Sequence, residues 1–156
     1  YIQPKVNRNL SKFCTKLTGI TQEMVNNEPH FGEIFDNFQK WMEEVNLICP
    51  KTKMPLCKFT FVTCGDWDLK TMLPKQCKLS GITIPKYMQS WINIKKTYAN
   101  VTKTRAKGLG SMLNGLNITF VGRPHSGIDD QRPLRLLLSP GSFPKAHVQP
   151  AGHTRG

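Results

Sequence analysis

Apolar residues recur along this chain with two different periods, and the alternation between them restricts the fold class. Residues 29–49 carry apolar side chains at the three- and four-residue spacing of an amphipathic helix, with Pro29 in the first turn. Residues 59–63 are instead a β-rich run that ends before Gly65, which is typical of a buried strand. Strand and helix patterns that follow one another predict an α/β fold.

Weaker patterns extend this prediction to the rest of the chain. Residues 91–94 are a second strand candidate, and short helices are predicted over 10–17 and 109–116. A helix that starts after residue 66 is expected to end or kink at Pro74, because proline lacks the N–H group that helices need. Together these segments predict one domain over residues 1–130.

From Gln131 onward the composition changes. Residues 131–156 are rich in proline and glycine and contain no acidic residue. Pro133 is expected to stop the helix that would follow Asp130 almost at once. The sequence therefore predicts a basic, mostly unstructured tail over residues 131–156.

The charge of the chain is high and unevenly placed. The formal net charge is +12, and residues 69–128 contain ten Lys or Arg but no Asp or Glu. A concentrated basic excess favours a polyanionic partner, because neutralised phosphates release their counterions. A solvated lysine-rich surface without a partner is the alternative. The acidic pairs on either side of the stretch favour a phosphate-binding surface around a metal centre.

The location of the protein is predicted from three negative features. No run approaches the ~18 apolar residues of a transmembrane helix, and no basic and apolar leader follows Tyr1. The five cysteines form no Cys-x-x-Cys pair, which indicates buried free thiols in a reducing compartment. We therefore expect a cytoplasmic or nuclear protein, the nucleolus included, that is neither secreted nor bound to a membrane.

Two segments combine residues that serve metal and acid–base chemistry. Residues 61–68, FVTCGDWD, place Asp66 and Asp68 after a strand and a tight turn, and residues 122–130, GRPHSGIDD, place a histidine five residues before a carboxylate. Mg²⁺ prefers carboxylate oxygens, and a histidine can take a proton from water at neutral pH. Helix capping or solvation is the alternative for Asp66 and Asp129.

These segments also resemble a known family, the DEDDh 3′–5′ exonucleases, and within it the Eri-type exoribonucleases that trim histone mRNA, small RNAs and ribosomal RNA. The resemblance covers about residues 1–131 and is carried by LTGIT (17–21), FVTCGDWDL (61–69), WINIKKTY (91–98) and GRPHSGIDD (122–130). It implies a ribonuclease-H-like fold, in which a mixed sheet is flanked by helices. It also implies two Mg²⁺ ions, or Mn²⁺, held between four acids beside a general-base histidine.

Matching positions transfer the family's roles to this chain. Asp68 and Asp130 match metal-binding acids and His125 matches the general base, so the resemblance implies that all three act at one site. Asp66 and Asp129 receive no role. The implied substrate is an RNA 3′ end, single-stranded or a stem-loop overhang, and the oligomeric state is not predicted. The residues expected to contact the RNA are Leu17, Thr18, Gly19 and Ile20 at the terminal nucleotide, Trp67 by base stacking, and Arg123, Lys95 and Lys96 at phosphates. Core packing is the alternative for Trp67.

The sequence departs from the family at both ends. No acid precedes Glu23, so the family's first motif, Asp-x-Glu on the central strand, has no counterpart and is expected upstream of Tyr1. Pro133 is expected to remove the usual last helix. The fold is thus predicted to be incomplete at the N-terminus, and the chain itself is expected to be inactive or weakly active. The alternative function is a non-catalytic remnant that binds RNA or protein.

Overall fold

The structure, a computed structural model, describes residues 1–138. The elements are α1 (Lys12–Thr18), α2 (Gln22–Val25), α3 (Phe31–Glu44), β1 (Phe61–Thr63), α4 (Leu73–Ser80), β2 (Trp91–Asn93), α5 (Ile94–Thr102), α6 (Leu109–Gly115) and α7 (Gly127–Leu137). Strands β1 and β2 pair with each other, a π-helical turn over Asp68–Met72 leads into α4, and a 3₁₀ turn over Lys86–Met88 precedes β2.

The chain forms two compact units. The first comprises Tyr1–Phe61 and Trp67–Ser90, and the second comprises Val62–Asp66 and the described residues from Trp91 onward. The one-domain boundary at residue 130 stays a prediction, and the part of the predicted tail beyond residue 138 lies outside the described residues.

An aromatic core holds the first unit together. Helix α3 packs against α4, as its amphipathic spacing predicts, and buries Phe35 and Met42. Around Phe35 and Cys77 gather partly buried aromatic rings, which include Phe31, Phe38, Phe61 and Tyr87. Their ring centroids lie 5.7–6.5 Å apart, within the range of favourable aromatic pairs.

The second unit has an aliphatic core and carries the sheet. Ile94, Met112 and Leu137 are fully buried, and Tyr98 packs with them. The strand predictions are confirmed at β1 and β2, and β2 leads directly into α5. Asn93 caps α5, because its side chain accepts a hydrogen bond of 3.1 Å from the N–H of Lys95. Strand β1 ends three residues before Asp66, and β2 ends at Asn93, so both strands end beside polar side chains.

Of the two expectations about proline, one is wrong. The π-helical turn ends at Met72, and Pro74 occupies the first turn of α4, where a missing N–H costs little, so the expected end or kink at Pro74 agrees with the structure. Helix α7 continues through Pro133 to Leu137, so residues 131–137 are helical rather than unstructured. An internal proline costs about 3 kcal/mol. Full burial of Leu137 and packing of Leu134 against the core of the second unit offset this cost.

The cysteine prediction is confirmed only in part. All five cysteines are free thiols, as expected. Cys77 is buried, but Cys57 is exposed and the other three are partly exposed, so the sequence overstated their burial. In the described part of the chain, no helix combines the length and the apolar character needed to cross a bilayer.

Candidate functional site

Asp66 follows strand β1 and is held by side chains from β2 and α5. One carboxylate oxygen accepts a hydrogen bond of 3.0 Å from Nε1 of Trp91, and the other lies 2.9 Å from Nζ of Lys96. Burial by itself would raise the pKa of Asp66, but hydrogen bonds from Lys96, Trp91 and Asn93 outweigh it and lower the pKa. Asp66 is therefore an ionised residue that ties β1 to β2 and α5.

Asp68 and Trp67 lie in the first unit, immediately after Asp66 in sequence. The indole of Trp67 is 64% exposed, which excludes core packing for it, and Nζ of Lys75 lies 5.9 Å from the ring centroid. Asp68 opens the π-helical turn. Within residues 1–138 its carboxylate takes part in no hydrogen bond or ion pair. This carboxylate is exposed and uncommitted.

Asp129 organises the loop that contains His125. Its Oδ2 accepts a hydrogen bond of 3.1 Å from the backbone N–H of Arg123, and its Oδ1 lies 3.6 Å from the guanidinium of Arg132. The hydrogen bond from the Arg123 N–H is the largest cause of the lowered pKa of Asp129; burial opposes it, and Ser126 and Arg132 lower the pKa further. Asp129 is not the helix cap, because Ser126 occupies that position; its carboxylate instead closes the turn before α7.

His125 and Asp130 lie at the two ends of the same turn. His125 is exposed and adopts a left-handed backbone conformation with a φ of 66°. Asp130 lies in the first turn of α7, where its N–H donates to the carbonyl of Ser126 at 2.8 Å. In the part of the chain that the structure describes, neither the imidazole nor the Asp130 carboxylate is hydrogen-bonded or ion-paired. Both groups are available to a ligand.

The predicted nucleotide loop forms the end of α1 in the first unit. Gly19 caps the helix in a left-handed conformation, with a φ of 79°. The hydroxyl of Thr18 donates to the carbonyl of Cys14 at 2.9 Å and accepts from the N–H of Ile20 at 3.1 Å. Leu17 is 38% exposed. The loop is thus fixed by its own hydrogen bonds and presents an apolar side chain.

A basic cleft of about 500 Å³ lies in the second unit. Among the described residues that line it are four basic side chains, together with Asp66 and Asn93. The basic residues are Lys95, Lys96, Lys103 and Arg105. Lys95 and Lys96 are among the predicted site residues, whereas Lys103 and Arg105 are not. Only the acid-free character of the surrounding stretch could have indicated them.

The predicted site residues are divided between the two units. Asp68, Trp67 and the loop at residues 17–20 belong to the first unit, whereas Lys95, Lys96, Arg123, His125 and Asp130 belong to the second. Within residues 1–138, no three His, Cys, Asp or Glu side chains form a group that could hold a metal ion. Among the four acids of the two predicted segments, Asp68 and Asp130 thus remain uncommitted carboxylates of the type that Mg²⁺ prefers, and the described residues provide no complete set of metal ligands.

The sequence is similar to that of known nucleases. Residues 1–134 match a family model described as exonuclease. The human ERI1 exoribonuclease 3 is 45% identical over 139 residues, which make up 88% of this chain and 40% of that protein. The rat 3′-5′ exoribonuclease 1 is 39% identical over 135 residues, 85% of this chain and 37% of that protein. The chain therefore spans about 40% of the length of these curated relatives.

Solved structures show the same likeness in three dimensions. The nuclease domain of 3′hExo, a DEDDh family member bound to rAMP, aligns with a TM-score of 0.76 and 31% identity over 96% of this chain and 75% of that one. A structure of 3′-end specific recognition of histone mRNA stem-loop by 3′-exonuclease aligns with a TM-score of 0.79 and 30% identity, over 96% of this chain and 69% of that one. The predicted α/β, ribonuclease-H-like fold class is thereby confirmed.

Proposed function

Since the chain belongs to the exonuclease family, together with the Eri-type DEDDh 3′–5′ exoribonucleases, we propose that the complete protein removes nucleotides from RNA 3′ ends. DEDDh nucleases are in general dependent on divalent metal ions. One observation on the site carries the proposal: among the acids of the two predicted segments, Asp68 and Asp130 are left uncommitted while Asp66 and Asp129 are bonded. The uncommitted acids are the two that match the family's metal-binding positions.

Each catalytic role follows from the chemistry of the side chain. Asp68 and Asp130 would supply hard oxygen ligands for Mg²⁺ or Mn²⁺. Bound there, the ions would supply positive charge that lets a nucleophile approach an anionic phosphodiester. His125 takes a proton from the attacking water, whose oxygen bonds to phosphorus while the bond to the 3′ oxygen of the preceding nucleotide breaks. The departing 3′ oxygen takes a proton from solvent water, so the products are a nucleoside 5′-monophosphate and an RNA with a new 3′ hydroxyl.

The RNA contacts are part of the same proposal. One related structure contains rAMP, and another concerns the 3′ end of a histone mRNA stem-loop, which supports a single-stranded 3′ end or a stem-loop overhang as substrate. The exposed indole of Trp67 is suited to stacking on a base. Leu17, Thr18, Gly19 and Ile20 are assigned to the terminal nucleotide, and Arg123, Lys95 and Lys96 to phosphates.

Residues 1–156 by themselves are expected to trim RNA poorly. They provide counterparts for two of the four acids in the family arrangement, and with two carboxylates Mg²⁺ binds loosely and keeps most of its waters. Each ~1.4 kcal/mol removed from the stabilisation of the transition state slows the reaction tenfold. A 156-residue polypeptide that trims RNA as fast as the complete protein would contradict this expectation.

A second candidate function is RNA binding without hydrolysis. The basic cleft in the second unit favours it, because a phosphate-binding surface needs no metal centre. Hydrolysis is nevertheless the function that the site supports best. A protein that only binds RNA needs neither the exposed histidine, His125, nor the two uncommitted acids, Asp68 and Asp130. Five free thiols further support a cytoplasmic or nuclear location.

Trimming of a 5′-labelled single-stranded RNA by the complete protein with Mg²⁺, followed on a denaturing gel, tests the proposal. We expect the wild type to shorten the RNA from its 3′ end and His125→Ala to be slower by about 10²- to 10⁴-fold. His30→Ala is the matched control, because His30 is also exposed and its imidazole bonds to the carbonyl of Gln3. A wild type that binds the RNA without shortening it would favour the second candidate, and full activity of His125→Ala would remove its role as the base.

A further inference from the structure

We propose that Lys103 and Arg105 bind a phosphate of the RNA backbone in the basic cleft, upstream of the nucleotide that is removed. This inference rests on the proposed function and adds a second contact with the same substrate. The described lining of the cleft includes neither His125 nor Asp68 nor Asp130, the groups assigned to the reacting end. The cleft is therefore assigned to a different phosphate of the same strand.

One face of helix α5 builds a wall of the cleft. Lys96 and Ala99 are three residues apart and lie on the same face of the helix, and Lys103, its C-terminal cap, lines the cleft with them. The small side chain of Ala99 leaves space between the two lysines. The volume of about 500 Å³ falls within the ~300–1,000 Å³ of typical ligand pockets. A cleft of this volume is large enough for a phosphate with its sugar.

The four cations of the cleft differ in what they already contact. Nζ of Lys95 donates to the carbonyl of Lys107 at 3.0 Å, and Nζ of Lys96 is paired with Asp66 at 2.9 Å. Within residues 1–138, the side chains of Lys103 and Arg105 have no hydrogen-bond or ion-pair partner. An anion that binds between these two displaces no existing contact, whereas at Lys96 it competes with a carboxylate.

The turn that carries the two free cations is braced. Lys103 ends α5 in a left-handed conformation, with a φ of 57°, which is unfavourable for a residue with a Cβ atom. The hydroxyl of Thr102 stabilises this turn, since it donates to the carbonyl of Tyr98 at 2.9 Å and accepts from the N–H of Thr104 at 3.2 Å. Lys103 and Arg105 are thus presented from a fixed backbone, which lowers the entropic cost of binding.

Phosphate suits this pair of cations better than the carboxylates of an acidic protein. The planar guanidinium of Arg105 can donate two parallel hydrogen bonds to a phosphate, and Lys103 adds a point charge. An RNA strand offers one phosphate for every nucleotide, so an occupant is present wherever the strand passes the cleft. An acidic protein segment presents its carboxylates on flexible side chains and at irregular spacing. We therefore assign the cleft to RNA.

Equilibrium binding to the complete protein with EDTA, which prevents turnover, tests the inference. The probes are a labelled single-stranded RNA of about twelve nucleotides, within the site sizes of single-strand binding proteins, and a dinucleotide measured by competition. The variant is Lys103→Gln with Arg105→Gln. Lys78→Gln with Lys86→Gln is the control, because it removes the same charge from exposed residues of the first unit, within the same acid-free stretch.

We expect the cleft variant to bind the longer RNA about tenfold more weakly than the control variant does. The slope of log affinity against log salt should fall by about 0.7 for each phosphate that the variant no longer neutralises. Dinucleotide affinity should match that of the control. Equal affinities of the two variants for the longer RNA would overturn the inference, and so would a matching decrease for the dinucleotide, which would place the cleft at the reacting end.

A polyglutamate peptide serves as a third probe, and a stronger decrease of its binding than of RNA binding would assign the cleft to an acidic protein and overturn the inference. Because binding is measured without turnover, failure of the proposed hydrolysis would appear separately, in the trimming assay of the wild type.

Discussion

Asp66 and Asp68 follow strand β1, Asp129 and Asp130 begin helix α7, and in each pair the first acid is bonded while the second is not, within the described residues. The bonded acids differ in reach. Asp66 contacts Trp91 and Lys96, which lie on other elements, whereas Asp129 contacts Arg123 and Arg132 within six positions of itself. One acid fixes tertiary structure and the other shapes a turn.

This contrast distinguishes structural acids from catalytic acids, which the sequence pattern alone does not. An acid that ties elements together should affect stability when it is changed, and an uncommitted acid should affect activity alone. A change of Asp129 should affect both stability and activity, because this acid holds the turn that contains His125. Variants at and around these acids test this division, and the largest effect is expected at the uncommitted pair.

Replacing either uncommitted acid is expected to abolish most of the activity. Asp68→Asn and Asp130→Asn each remove one charged ligand, and a decrease of about 4 kcal/mol in transition-state stabilisation lowers the trimming rate about 10³-fold. The melting temperature of the complete protein should stay unchanged, because neither carboxylate has a partner within residues 1–138. The initial rate of 3′ trimming and thermal unfolding measure the two effects.

Asp36→Asn on the exposed face of α3 is the control for loss of charge in the first unit. The double variant Asp68→Asn/Asp130→Asn should be scarcely slower than either single variant, because groups that act in one step are not additive. Multiplicative decreases in rate, or a lowered melting temperature, would break the division between structural and catalytic acids.

A methyl group at Gly122 should disturb the turn that carries His125. Gly122 has a φ of +116°, and a Cβ atom there would lie 2.5 Å from Cγ of Asp129. Gly122→Ala therefore has to displace Asp129 or the backbone, and a shift of about 1 Å in a catalytic group can cost 10²-fold in rate. We expect trimming to slow by about 10- to 100-fold. Gly110→Ala, which meets no atom within 4 Å, is the control, and equal rates of the two variants would contradict the prediction.

Local patterns in the sequence predicted the elements whose periodicity is strong. Helix α3 and strands β1 and β2 form where their apolar spacing places them, because the same side chains that make the pattern are the ones that become buried. The fate of Pro133 was not predictable in this way. It depends on the burial of Leu137 against residues such as Ile94, which is distant in sequence.

The sequence also could not indicate which charged side chains form hydrogen bonds or ion pairs in the fold. Asp66 and Asp68 are two residues apart, and only the fold brings Trp91 and Lys96 to the former. The ion pair with Asp66 commits Lys96, which is a predicted phosphate contact. Lys103 and Arg105 are not predicted contacts, yet they remain uncommitted within the described residues. Motifs identified the chemistry of the site, whereas long-range contacts decided which members of each motif remain available.

Removal of the Asp66 carboxylate should lower stability, in two separable steps. Asp66→Asn keeps an acceptor for the Trp91 N–H but removes the ion pair with Lys96, and an exposed pair contributes less than about 1 kcal/mol. Asp66→Ala removes both interactions and should cost about 1–3 kcal/mol, since it also leaves a partly buried donor without its partner. The melting temperature should fall by a few degrees in Asp66→Ala and by less in Asp66→Asn. Equal shifts would mean that the Trp91 hydrogen bond contributes nothing.

The smallest expected effect is the pH dependence of the same interaction. The fold lowers the pKa of Asp66 below its ordinary value of 3.8, so the unfolded chain takes up a proton before the folded chain does. The stability that this acid contributes is therefore complete above about pH 4 and disappears as the pH falls through the folded pKa. The difference in melting temperature between wild type and Asp66→Asn should be constant from about pH 7 to pH 5 and shrink towards pH 3. Other carboxylates titrate in both proteins, so the difference isolates Asp66. A gap that stays constant down to pH 3 would show that the hydrogen bonds from Lys96 and Trp91 do not favour the ionised form.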